Sequence, residues 1–180
     1  MLHIVVPARE YWDENKEEFV HLDEAQSLQL EHSLVSISKW EAKYCKPFLT
    51  HDEKTFEETI NYIKCMTITQ NVKDEVYEHL TKENIKDINE YISNPMTATT
   101  FRDNKVGTSR ETPTSELIYY WMISLNIPME CQRWHINRLL TLIRVCNVKN
   151  TPPKNVSKRE LASQYASLNA MRRKKFNSRG

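Results

Sequence analysis

The chain has 180 residues, 39% of them apolar and 27% charged, with a net charge of +1. This is a globular rather than a disordered composition, long enough for one domain with a real core. Only two glycines occur, Gly107 and Gly180, which argues against hairpin-rich all-β folds and excludes a glycine-rich phosphate loop or dinucleotide fingerprint.

In chain order, His3 to Pro7 is β-branched and ends at a proline, which predicts a short edge strand. Phe19 to Leu22 and Ser27 to Glu31 alternate apolar with polar residues, as half-buried strands do. The spacing predicts that these two segments pair as a hairpin closed by Asp23 to Gln26. From His32 the period becomes helical, with Leu34, Ile37, Trp40, Glu41 and Tyr44 on one face, and Pro47 ends that helix. Thr55 with Glu58 reads as a capping box opening the next helix, whose expected buried stripe is Phe56, Thr59, Ile60, Ile63 and Met66 or Thr67. Short helical patterns follow between Val72 and Ile92, with Thr81 as a cap. Asn94 to Thr112 is polar and aperiodic, the pattern of a long loop.

Thr112 or Thr114 caps the next helix, which runs to Leu125. Its run of seven apolar residues, Leu117 to Ile123, predicts burial nearly all round. Asn126 and Pro128 mark a stop and restart, since proline fits a first helical turn. The helix from there to about Val148 is expected to bury Ile136, Leu139, Leu140, Ile143 and Cys146, leaving Arg133, Arg138 and Arg144 outside. It is expected to pair antiparallel with its predecessor. After the linker Asn150 to Val156, stiffened by Pro152 and Pro153, Ser157 and Glu160 form a further capping box. The last helix carries a narrow stripe of Leu161, Tyr165, Leu168 and Met171, suited to docking on its own domain or a partner.

Charge is distributed unevenly. Ala8 to Glu31 holds eight acids against Arg9 and Lys16, a net of −6, and Thr151 to Gly180 holds eight bases against Glu160, a net of +7. Both read as solvated segments or as contacts for charged partners. The four cysteines have no paired spacing, which suits reduced thiols in a cytoplasm. No signal peptide is read in MLHIVVPAREYWDE, and no apolar run approaches the ~20 residues of a membrane span.

Cys131 and His135, four apart, would share a helix face, and Cys65, His79 or Cys146 would have to complete a metal site. Structural zinc uses tighter pairs, so no metal is expected. No local signature selects a Cys–His nucleophile pair or a catalytic carboxylate, so neither enzyme nor cofactor is expected. The run MRRKKFNSRG is able to neutralise phosphates, but a pI near 7.7 is low for a dedicated nucleic-acid binder.

Three blocks carry a resemblance: SLQLEHSLVSISKWEAKYCKPFL (Ser27 to Leu49), YIKCMTIT (Tyr62 to Thr69) and TSELIYYWMISLNIPMECQRWHINRLLTLIRVC (Thr114 to Cys146). Together with the closing proline linker, the LNAMRRKK helix and the terminal SRG, they resemble the tail assembly chaperones of tailed bacteriophages. The resemblance covers most of the chain from Ser27 onward and carries no catalytic signature. It implies a non-enzymatic protein that holds the tape measure protein soluble until tail tube subunits polymerise around it. It points equally to a virion tail or baseplate subunit, and a nucleic-acid-binding module is the alternative outside that system. Expected partners are phage tail proteins, with a homo-oligomer as a further option, in the host cytoplasm or the virion tail.

The expected fold is α+β and mostly α-helical. Residues 1–31 form a small antiparallel sheet packed on the core, 32–149 a helical core, 150–156 a proline-containing linker, and 157–180 a basic helix and tail. The expected partner-binding residues are Leu161, Tyr165, Leu168, Met171, Arg172 and Arg173, followed by Arg133, Arg138 and Arg144.

Overall fold

The structure, a computed structural model, describes residues 1–13, 17–50, 52–101, 112–150 and 158–177; the side chains of 11–13, 18–20, 158–161 and 164 are outside it. It has four short strands, β1 (Leu2–Val6), β2 (Arg9–Asp13), β3 (Glu18–Leu22) and β4 (Gln26–Leu30). Seven α-helices follow among the described residues: α1 (Leu34–Tyr44), α2 (Phe56–Met66), α3 (Glu75–Glu78), α4 (Lys82–Ser93), α5 (Ser115–Ser124), α6 (Ile136–Asn150) and α7 (Lys158–Phe176). The fold is therefore mostly helical α+β. None of the described helices is long and apolar enough to cross a membrane.

The chain divides into two compact units, Met1–Asn147 and Val148–Gly180. The strands belong to the first unit with α1 to α5, and the last residues of α6 fall in the second. The linker residues 151–156, the capping serine Ser157, and 102–111 of the expected long loop lie outside the described residues.

The hairpin expected between Phe19–Leu22 and Ser27–Glu31 does not form. Instead β1 pairs antiparallel with β4, Leu2 opposite Leu30 and Val6 opposite Gln26, while β2 pairs with β3, Arg9 opposite Leu22. The two ladders are nested, and Pro7, which has no N–H to donate, falls between them on the first leg. Two residues there face three, Asp23 to Ala25, on the other leg, so the register shifts by one. In the outer ladder Ile4, Val6, Leu28 and Leu30 point inward and are buried, while His3, Val5, Ser27 and Gln29 are exposed, the alternation a half-buried sheet requires.

The edges of that ladder are covered. Past the end of α2, Glu31 N–H donates to Met66 O (2.8 Å) and Ile68 N–H to Gln29 O (2.9 Å). On the far side the Asn84 amide of α4 donates to Val5 O (3.1 Å).

Helix starts follow local chemistry. Thr55 and Glu58 form the reciprocal box that opens α2, Thr55 Oγ accepting from Glu58 N–H (3.2 Å) and Glu58 Oε2 from Thr55 N–H (2.9 Å). Thr81 and Asn84 do the same for α4, and Thr114 caps α5. Helix α1 ends where Cys45 turns left-handed (φ 52°), its N–H bonded to Glu41 O at 2.7 Å.

Three packing expectations need correction. Helix α2 buries Glu58, Tyr62, Ile63 and Met66, so its inner face is rotated from the expected stripe and Phe56 is 80% exposed. Helix α5 buries Ser115, Ile118 and Met122 on one face, but Tyr120 and Ile123 face outward, because its main helix contact is α1. The single helix expected from Pro128 to about Val148 is broken into a 3-10 turn, Met129–Arg133, and α6. Trp134 is extended at the junction, and the expected antiparallel pairing with the preceding helix gives way to contacts of α5 and the 3-10 turn with α1.

These burials set an expected outcome. Ile63→Ala, at 1% exposure, should cost about 2–5 kcal/mol in urea unfolding, and Phe56→Ala should stay within about 0.5 kcal/mol of the parent. Similar losses at both positions would restore the stripe that the periodicity suggested.

Candidate partner-binding surfaces

The first unit contains two buried polar arrangements that look chemical at first sight. At the start of α1, His32 (2% exposed) sits edge-on to His135 with ring centroids 4.9 Å apart. Its Nδ1 bonds the Tyr62 hydroxyl at 2.5 Å. Ser36 Oγ donates to Ser33 O (2.8 Å), which commits its proton to the backbone. Asn137 N–H donates to His135 Nδ1 (3.3 Å), leaving Nε2 to donate to Tyr91 O (2.9 Å).

Burial, with His135 adding to it, pulls the His32 imidazole down to about 3, and burial also lowers His135. Burial pushes the Tyr62 phenol well above its usual value. Every group is driven to its neutral form, which suits a structural network rather than proton transfer near neutral pH.

At the other end of α1, the buried Glu41 carboxylate accepts from Phe48 N–H through Oε1 and from Ser115 N–H through Oε2, both at 2.7 Å. It thereby closes the turn after α1 and holds the first residue of α5. Nearby, Lys46 Nζ donates to Glu58 (2.7 Å), and this ammonium, then Thr55 N–H, holds the Glu58 carboxyl below its usual range. Lys54 Nζ lies 4.4 Å from the Phe48 ring centre. The cleft beside these residues, about 280 Å³, also takes in Trp40, Asp52 and Glu53, and its Lys46 and Glu58 are paired with each other.

Cys131 and His135 do not share a helix face: the former is buried in the 3-10 turn and the latter precedes α6. Among the described residues no group of three or more His, Cys, Asp or Glu side chains is placed to hold a metal ion.

The residues expected to bind partners fall in both units. On α7, Tyr165, Leu168 and Met171 are 60%, 48% and 69% exposed, and Arg172 and Arg173 are exposed beside them. The Leu161 side chain lies outside the described residues. At about 100° per residue, Tyr165, Leu168 and Met171 span roughly 120° of the helix, and Arg172 and Lys175 continue the same stripe. The face is apolar in its middle turns and basic at its C-terminal end. Basic residues in a last turn also complement the helix dipole, which is the bland reason for them.

Arg133, Arg138 and Arg144 do not make one patch. Arg133 is exposed on the 3-10 turn, while Arg138 and Arg144 stand six residues apart on α6, about 240° around it. The Arg138 guanidinium lies 4.0 Å from the Trp134 ring centre and Arg144 4.0 Å from Phe101, cation–π contacts that hold both against the chain's own surface. Beside Arg138, a groove of about 440 Å³ is lined by Met96 to Thr99, Trp134 and Leu142.

Sequence reasoning missed one surface. Tyr120 and Ile123, 63% and 66% exposed, sit three residues apart on the outer side of α5, and exposed Met129 follows in the 3-10 turn. The signal was present: Ser115, Ile118 and Met122 define one face, and 120 and 123 fall off it. An apolar run hides that distinction. Compared with family models, curated proteins and solved structures, the chain shows no match to any of the three.

Two outcomes check this account. Glu41→Ala leaves the Phe48 and Ser115 N–H groups without their buried acceptor, and should cost about 2–4 kcal/mol in urea unfolding. The second is pH dependence. The His32 and His135 values are depressed on folding, so below about 6.5 the unfolded chain binds protons that the folded one refuses. Stability is full above that pH and falls as pH drops toward 3, by about 2 kcal/mol from His32 alone at pH 5. Urea titrations at pH 7.5 and 5.0 should show this loss, and it should shrink in His32→Asn.

Proposed function

We propose that this chain is a non-enzymatic tail assembly protein of a tailed bacteriophage, a chaperone that binds the tape measure protein while the tail is built. The observation that carries the reading is α7: a 19-residue helix whose apolar stripe is exposed and merges into a basic end. Tape measure proteins are long, helical and aggregation-prone, as the resemblance implies. Shielding such a client calls for an apolar helix face that an amphipathic segment is able to cover. The outer face of α5, with Tyr120 and Ile123, supplies a second apolar surface. In the first unit, His32, His135 and Tyr62 are held neutral in one buried network and both Glu41 oxygens are bound to backbone N–H groups, which favours a binding role over a catalytic one.

The chaperone would act in the cytoplasm of the infected host. A structural tail or baseplate subunit is the rival within the same system. The exposed run Arg172 to Lys175 favours one further reading, a nucleic-acid contact, which would show binding that falls steeply with salt.

Quantitative mass spectrometry of infected-cell lysate beside purified particles, with capture on this protein, tests the proposal. Co-purification with the tape measure protein and absence from virions are expected. Aspartate at Tyr165, Leu168 and Met171 together should lower client recovery at least about tenfold, equivalent to about 1.4 kcal/mol. A fixed copy number in the virion would make the chain a structural subunit instead.

A further inference from the structure

The basic face of α7 has a chemical complement in the same chain. Where α3 meets β3, a groove of about 310 Å³ is lined by Asp23, Glu24 and Glu75 with His21, Lys73 and the half-buried Leu22, and takes in the buried Val76. The three carboxylates are exposed, and the volume lies within the range of clefts that bind ligands. Three carboxylates beside the half-buried Leu22 complement α7, where Leu168 and Met171 give way to Arg172 and Lys175 on one stripe. From Tyr165 to Lys175 that stripe is about 15 Å long.

Parallel pairing of α7 with its own copy is disfavoured. Parallel helices would set Arg172 to Lys175 against the same four charges. Like charges in contact destabilise such a pairing.

We propose that α7 of one molecule docks in the acidic groove of a second, so that the protein self-associates through this contact. Each copy then offers one helix and one groove, so reciprocal exchange closes a two-fold dimer and one-way docking builds rings or open chains. The carboxylates of Asp23, Glu24 and Glu75 face Arg172 and Lys175, and Leu22 packs against the apolar turn of the stripe before them. This contact does not rest on the identity of any client, and its test uses the full chain alone.

Sedimentation equilibrium at micromolar concentration provides the readout. Raising salt from about 0.1 M to about 1 M shortens the screening length from roughly 10 Å to 3 Å, and should weaken association at least about tenfold. One variant carries Arg172→Glu, Arg173→Glu, Lys174→Glu and Lys175→Glu; another carries Asp23→Lys, Glu24→Lys and Glu75→Lys. Each alone should be monomeric with an unchanged far-ultraviolet spectrum, because all seven side chains are exposed. Mixed, the acidic helix of the first meets the basic groove of the second, and association should return. A monomer at every salt concentration would overturn the proposal. So would association that ignores salt, loss in only one of the two variants, or a mixture that stays monomeric.

Discussion

The Glu41 carboxylate is the contact on which the first unit depends. Buried on α1, it accepts one backbone N–H from the turn that follows and one from the start of α5, 74 residues away in sequence. Charge-assisted bonds to backbone donors are short and strong, and here they fix two segments that have no direct ladder between them. Holding Phe48 in place also sets its rings against Trp40 (centroids 5.2 Å) and Tyr62 (4.0 Å), while the Trp40 indole N–H donates to Glu58 O (2.9 Å). At its other end α1 is pinned again: Ser33 pairs with His135, and Ile136 N–H donates to His32 O (2.9 Å) at the entry to α6. One helix of eleven residues thus organises α2, α5 and α6.

This arrangement separates scaffold from surface. In the first unit the buried Glu41, His32 and His135 side chains find partners within the chain, and the apolar core is continuous from the β1–β4 ladder to α6. Among the outward apolar residues are those on the outer face of α5 and, in the second unit, on α7. A protein that binds a helical client during assembly and then releases it gains from that division. The scaffold keeps its shape, and the contacts that form and break are few and peripheral.

Much of this fold was legible in the sequence wherever the cause is local. Thr55, Thr81 and Thr114 act as caps because a threonine hydroxyl reaches the N–H three residues on, whatever the tertiary setting. The α1 stripe was legible for a similar reason, since Leu34, Ile37 and Trp40 fall at helical spacing with lysines opposite. Strand pairing was not legible, because alternation says which residues face inward but not which strand lies alongside. The β1–β4 pairing was settled by where α2 and α4 supply hydrogen bonds to its edges. The α5 run misled for a related reason: seven apolar residues are buried all round only if neighbours surround them, and α5 lies mainly on α1. The stripe of α7 was read from its spacing, whereas Tyr120 and Ile123 emerged only once the packing of α5 was known.

In the proposed function α7 binds the client while the Glu41-centred unit keeps its shape. Amide hydrogen exchange read by mass spectrometry, in salt high enough to screen self-association and with and without a soluble segment of the tape measure protein, tests it most directly. The account expects the client to slow exchange across α7 while α1, the Phe48 turn and the start of α5 stay as they were. Exchange in α7 unaffected by the client, or protection that spreads through α1 instead, would contradict it.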